Sequence, residues 1–161
     1  MIRTVKNEDA EAICGIYKYY VENTIISFEE TAPGIPEMEE RIRAISGKYP
    51  YLVWEDSGEI NGYTYANRWR ERSAYRYSAE LSIYLRNGFQ GRGMGRKLME
   101  RLLEEIRETE VHSLLAGIAL PNERSVALHE KFGFKKIAQF EEIGLKFGKW
   151  HDVGYWELIL K

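Results

Sequence analysis

The sequence predicts an α/β (α+β) protein: one central mixed, twisted sheet of about seven strands with helices on both faces. Three observations carry this. Strand-like and helix-like stretches follow the order βαα-βββ-α-β-α-ββ. Residues 114–120 are apolar throughout, as a strand buried on both faces should be. A strand–helix–strand crossover in the middle of the chain implies a mixed sheet with helices on both faces.

Residues 1–5 read as a short strand. Asn7 is a good N-cap for a helix over 8–22, in which Ala12, Ile13, Ile16, Tyr17 and Tyr20 recur at helical spacing. Residues 24–34 are irregular. Pro36 starts a second helix, with Met38, Ile42 and Ile45 as its buried stripe, ending near Gly47. Residues 51–55 and 60–67 read as a hairpin about the turn Asp56-Ser57-Gly58. A basic, aromatic loop over 68–77 leads to a strand at 78–85. Met94, Leu98, Met99, Leu102, Leu103 and Ile106 form one apolar helix face. Pro121 and Asn122 end the apolar strand, a short helix runs to Phe132, and Gly133 stops it. Residues 135–143 and 152–160 read as two last strands joined by a loop over 144–150.

A chain of 161 residues suits one domain, residues 1–161, with a core of its own. The formal net charge of −2 gives no basic field for nucleic acid. One cysteine, Cys14, excludes a disulfide within the chain and fits a reducing cytoplasm; set between Ile13 and Ile16, it reads as a buried, inert thiol. No apolar run approaches ~18 residues and no signal peptide is present, so a cytoplasmic protein without a membrane is expected. His112, His129 and His151 lie at no metal-ligand spacing, and no metal is expected.

The most informative stretch is Gln90-Gly91-Arg92-Gly93-Met94-Gly95-Arg96-Lys97, between a strand and a helix. Alternating glycines let a ligand approach the backbone, and a helix start with basic side chains favours an anion. A Rossmann loop would need glycine at position 96, which is Arg, and a P-loop would need Gly-Lys-Ser/Thr at 96–98, which read Arg-Lys-Leu. A pyrophosphate held without metal fits better, as in coenzyme A.

The signature Gln90-x-x-Gly93-x-Gly95 resembles that of the GNAT superfamily of acyl-CoA-dependent N-acetyltransferases. Asn122-Glu123-Arg124-Ser125, running into Leu128-His129-Glu130-Lys131-Phe132-Gly133-Phe134, is similar to the superfamily's later helix. The element order matches over essentially the whole chain, so a GNAT fold is implied. More narrowly, residues 69–75, 79–85 and 150–156 resemble phosphinothricin N-acetyltransferases, a group that also acetylates methionine sulfoximine.

The resemblance implies roles. Backbone groups of Ile83, Tyr84 and Leu85 would hold the pantetheine and the acetyl carbonyl of acetyl-CoA, where an N–H can steady an oxyanion. Gly91, Arg92, Gly93, Met94, Gly95 and Arg96, with Gln90, would take the pyrophosphate. Asn122 and Ser125 would meet the pantetheine arm. Glu80, a carboxylate inside a strand, is the candidate general base for the acceptor amine. His129 stands where many relatives have a tyrosine, as the acid, a second base or a water-holder, with Tyr84 a weaker substitute acid. Arg70 and Arg72 suit substrate oxyanions, and Phe28, beside Glu29, suits a pocket wall. A homodimer is usual in this family, with the aromatic segment 144–155 at its interface.

These readings lead to an acetyl-CoA-dependent transfer to the α-amine of a small amino acid of the phosphinothricin or methionine sulfoximine type, by direct attack. The rivals are another amine, such as a peptide N-terminus or polyamine, and a non-catalytic acyl-CoA sensor. The basic loop disfavours a polyamine, and Glu80 disfavours a sensor.

Overall fold

A computed structural model describes residues 1–161. Its elements are β1 Ile2–Thr4, α1 Ala10–Asn23, α2 Ile35–Ser46, β2 Tyr51–Asp56, β3 Glu59–Arg68, β4 Ser78–Leu85, α3 Met94–Arg107, β5 Ser113–Ala119, α4 Glu123–Lys131, β6 Lys135–Lys146 and β7 Lys149–Ile159, with short 3-10 turns at Asn7–Asp9 and Ser73–Tyr75. The seven strands form one sheet in the order β1-β2-β3-β4-β5-β7-β6. Only β4 and β5 run parallel, bridged by α3; every other neighbouring pair is antiparallel.

Strand alternation sends side chains into two cores. In β2, Tyr51 and Val53 join the core beneath α1 and α2, with Ile13, Ile16, Met38 and Ile42. Leu52 points the other way, toward Leu98-side helix α3, and joins Met99, Leu102, Leu103 and Ile106. In β4, Ala79 and Leu81 belong to this second core, which leaves Glu80, Ser82 and Tyr84 on the α1 face. Helices therefore cover both faces, but α1 and α2 touch β2, β3 and β4 while no helix covers that face over β6 and β7.

Two details differ from the sequence reading. Asn7 does not cap α1: it opens the 3-10 turn, and the Asp9 carboxylate accepts the Lys6 N–H at 2.7 Å while pairing with Arg3. Segment 144–150 is mostly strand. β6 and β7 close on a two-residue turn, Phe147 and Gly148, with φ of 51° and 70°, a backbone whose twist matches the flanking strands. An aromatic residue at the first turn position hid this hairpin. Irregularities between Phe140 and Gly144, with Glu142 at φ 49°, bend β6 before the turn. No helix is long and apolar enough to cross a membrane.

Candidate active site

β4 and β5 pair over three positions only, Ser78↔Ser113 to Glu80↔Leu115. Beyond Glu80 the strands part, β4 following β3 to Leu85 and β5 following β7 toward Ala119. The facing backbone edges of 81–85 and 116–119 therefore lack ladder partners. Such edges in mid-sheet are costly unless something supplies the missing hydrogen bonds, which an extended amide chain has the groups to do.

Three cavities follow this gap and share walls. The first, about 510 Å³, lies on the α1 face between Tyr17, Phe28, Glu29, Arg68, Glu80, Gly117 and Tyr155. A narrow passage of about 60 Å³ runs between Ser82, Ile83 and Tyr84 on one side and Gly117, Ile118, Asn122 and His129 on the other. It opens into a third cavity, about 350 Å³, lined by Tyr20, Ile83, Leu85, Gln90, Gly95, Asn122, Arg124 and Ser125. Ser82 and Tyr84 border the first two cavities, and Ile83, Asn122 and Ser125 the last two.

The glycine loop sits at the far end. Gly91 and Gly93 have φ of +79° and +78°, and an added Cβ would meet nothing within 4 Å at either. Backbone conformation, not crowding, calls for glycine there, since other residues lose about 1–2 kcal/mol in this region. The first helical hydrogen bond of α3 runs from Lys97 N to Gly93 O at 3.2 Å, so the N–H groups of Met94, Gly95 and Arg96 are free for an anion.

The side chains of this loop do more internal work than the sequence implied. Gln90 accepts from Gly88 N at 2.9 Å and donates to the Tyr20 hydroxyl at 3.1 Å, and Tyr20 donates to the Leu85 carbonyl. Gln90 thus ties the loop to α1 and β4. Arg92 stacks on Phe89, 4.6 Å from its ring, and Arg96 pairs with Glu100 at 2.8 Å. The Met94 side chain is buried, so only its backbone faces the loop. Asn122 caps α4 by accepting Ser125 N at 3.2 Å, which leaves its amide N–H groups for a ligand.

Glu80 lies where the strands part, paired across the ladder with Asn67. Burial pushes its carboxyl above the usual carboxylate range, and Arg70 partly offsets this. His129 is 2% exposed. Burial pulls its pKa down, with the bond to the Ser125 backbone acting the other way, so the ring is neutral at neutral pH. Its Nδ1 lies 2.7 Å from the Ser125 carbonyl oxygen. A carbonyl only accepts, so Nδ1 carries the proton and Nε2 a lone pair. That ring can accept a proton or hold a water; as it stands it has none to donate at Nε2. Tyr84 packs against Tyr17, Tyr20 and Tyr63, and burial holds its hydroxyl far above its ordinary pKa.

The three residues expected to meet substrate separate. Phe28 lines the first cavity beside Ser27 and Glu29. Arg70 stacks on Trp69 at 5.0 Å and borders a neighbouring cavity of about 630 Å³ that shares Phe28, Val153 and Tyr155 with the first. Arg72 precedes the 3-10 turn Ser73–Tyr75, is exposed and borders none of these cavities. The first cavity instead holds Arg68, at the end of β3 beside Ala79. Sequence reasoning also missed Asn67, Gly117, Tyr155 and Arg124. Only the strand register could have found the first three, because it sets Asn67 against Glu80 and Gly117 against Tyr155. Cys14 lies elsewhere and is part-buried rather than buried, its sulfur 3.8 Å from Pro33 O, with partial burial raising its pKa. No three His, Cys, Asp or Glu side chains converge as a metal site would need.

The acetyltransferase (GNAT) domain family matches residues 2–154. The phosphinothricin N-acetyltransferase of Streptomyces viridochromogenes is 35% identical over 157 residues, 97% of this chain and 85% of that protein. The L-methionine sulfoximine/L-methionine sulfone acetyltransferase of Salmonella typhimurium is 35% identical over 164 residues, 99% of this chain and 94% of that one. An acetyltransferase structure from Salmonella typhimurium, determined with its cofactor acetyl-CoA, superimposes with a TM-score of 0.97 at 34% identity, covering 100% of this chain and 94% of that one. A parted β4–β5 pair above a glycine-rich helix start, together with these relatives, establishes that the chain belongs to the GNAT acetyltransferase family, whose members draw acetyl from acetyl-CoA, and that it is an N-acetyltransferase.

Proposed function

We propose that residues 1–161 act as one domain that transfers acetyl from acetyl-CoA to the α-amine of a small amino acid of the phosphinothricin or methionine sulfoximine type. The observation that carries this is Glu80, a half-buried carboxylate where the first cavity meets the passage between β4 and β5. The third cavity, with the free N–H groups of α3, takes the coenzyme; the passage takes the thioester; the first cavity takes the amine.

In this reading Glu80 accepts the proton that the acceptor's ammonium must lose, directly or through a water. The amine lone pair attacks the thioester carbon, a backbone N–H among 83–85 stabilises the oxyanion, and the C–S bond breaks to release the thiolate of coenzyme A. His129, neutral with its lone pair at Nε2, holds a water in the passage; the second proton of the attacking nitrogen passes through that water to the thiolate, which leaves as the thiol of coenzyme A, and the proton on Glu80 goes to solvent. Cys14 lines none of the three cavities, so attack is direct. Arg68 binds an oxyanion of the acceptor, and Tyr155 walls its side chain. A thiol-release assay with acetyl-CoA against amino acids and their analogues tests the reading. Phosphinothricin or L-methionine sulfoximine should release coenzyme A, and inactivity toward every amino acid would sink it. In the same assay Arg68→Ala should raise the acceptor KM about tenfold, the loss of one charge-assisted hydrogen bond, while Arg72→Ala leaves it unchanged.

A second copy of the chain completes the molecule in this proposal. Ile137, Phe140, Ile143, Leu145, Phe147 and Trp150, between 46% and 60% exposed, crowd the β6–β7 hairpin, more apolar surface than a lone soluble chain ordinarily shows. Light scattering should give twice the chain mass, and Ile143→Asp should give the single mass; a monomeric wild type at micromolar concentration would refute this. A lone thiol with no disulfide partner suits the cytoplasm.

A further inference from the structure

The wall of the first cavity is built from the segment between α1 and α2, which has no regular secondary structure of its own. Tertiary bonds must therefore hold it, and they come from a distant part of the chain. Lys146, the last residue of β6, is 3% exposed, and its ammonium donates to the Ser27 carbonyl at 2.5 Å across 119 residues of sequence. Burial lowers its pKa, with Glu30 and Glu29 acting in the opposite direction. Two residues earlier, Gly144 lies flat against the Phe28 ring: a Cβ there would stand 2.2 Å from Phe28 Cε2. His151, opposite Gly144 in the hairpin, lies 3.1 Å through Nε2 from the Lys146 carbonyl and 6.3 Å from the Phe28 ring.

The segment passes this anchorage on to the cavity. The Ser27 hydroxyl bonds the Tyr17 hydroxyl at 2.8 Å and accepts from Glu29 N at 3.1 Å, and the Glu29 carboxylate accepts from both terminal guanidinium nitrogens of Arg41. Tyr17, Ser27, Phe28 and Glu29 all line the first cavity.

We propose that Lys146 is a positioning residue for the acceptor: its buried ammonium, with Gly144 as the seat for Phe28, clasps the 27–29 segment, so the end of the β6–β7 hairpin sets the shape of the acceptor cavity. A buried lysine at a hairpin end is costly to desolvate, and a role in holding a functional wall accounts for it. The proposal rests on the first cavity being the acceptor site, and one of its two readouts is independent of that reading.

The experiment uses the full chain, acetyl-CoA and L-methionine sulfoximine. Lys146→Met keeps the stem and removes the donor. Backbone hydrogen exchange at residues 26–30 should rise about tenfold with exchange in α3 unchanged, and the L-methionine sulfoximine KM should rise about tenfold while that for acetyl-CoA stays within about twofold. Lys146→Arg, which keeps charge and donors, should recover most of both effects. Wild-type exchange at 26–30 in Lys146→Met, or a parallel rise of both KM values, would overturn the clasp. If Lys146→Met fails to fold, Gly144→Ala displaces Phe28 instead; its folded form with wild-type exchange and acceptor KM also overturns it. If the wild type does not acetylate L-methionine sulfoximine, the functional reading fails there, and the exchange measurement still decides the clasp.

Discussion

Glu80→Gln is expected to lower kcat by about 10²–10⁴, the usual contribution of a positioned general base, while acetyl-CoA binding stays as in the wild type. The amide keeps the size of the side chain and takes away the basic oxygen, so a kcat within a few-fold of wild type at neutral pH would remove Glu80 as the base. The pH profile is a second check. A base works only when ionised, and burial raises this carboxyl above its ordinary value. The acidic fall in kcat/KM should therefore set in at a higher pH than for an exposed glutamate, and Glu80→Gln should lose it. Stability should move the other way. A carboxyl whose pKa is higher in the folded than in the unfolded chain stabilises the fold below the unfolded value, and that contribution is lost as pH rises through the folded one. At neutral pH the ionised, half-buried Glu80 burdens the fold, so Glu80→Gln should have a Tm equal to or above that of the wild type. Lost activity with undiminished Tm separates a catalytic carboxylate from a structural one.

Gly117→Val is the second large effect. Gly117 is in the middle of β5, opposite Tyr155, with its φ outside the left-handed region. The backbone would thus accept any residue, and valine suits a strand better than glycine. Space is what forbids it: a Cβ would stand 3.0 Å from Tyr155 Cε1 and 3.1 Å from Glu80 Oε1. The two further methyl groups of valine would enter the room where the amine must meet Glu80. Displacing reacting groups by about 1 Å costs about 10² in rate, and kcat/KM for the acceptor should fall at least that far. Free coenzyme A, held mainly by the third cavity and the glycine loop, should lose less affinity than the acceptor does. Wild-type turnover in Gly117→Val would place the acceptor elsewhere.

Legibility differed from element to element. α3 was plain, because its apolar positions from Met94 to Ile106 repeat at helical spacing and all are buried. β5 was plain because Leu114 to Ala119 are all apolar and, Gly117 apart, all buried. The end of the β6–β7 hairpin was misread: Gly144 looks like a loop residue until Phe28 is seen lying on it. The three arginines of the basic loop could not be told apart for a related reason. Arg68, Arg70 and Arg72 are alike in sequence, and only the end of β3 and the following 3-10 turn send one into the first cavity, one beside it and one into solvent.

By itself the sequence determined the order of the elements, the phosphate-seeking glycine loop and the strand carboxylate Glu80. Each of these is a local property: periodicity, permitted backbone angles, or an ionisable group where a strand should be apolar. The tertiary structure decided how far β4 and β5 stay together, which arginine shares the cavity with Glu80, and which nitrogen of His129 holds the proton. It also decided that Lys146, 119 residues away in sequence, secures Ser27. Those outcomes depend on register and close approach between distant segments, and spacing along the chain carries no record of either.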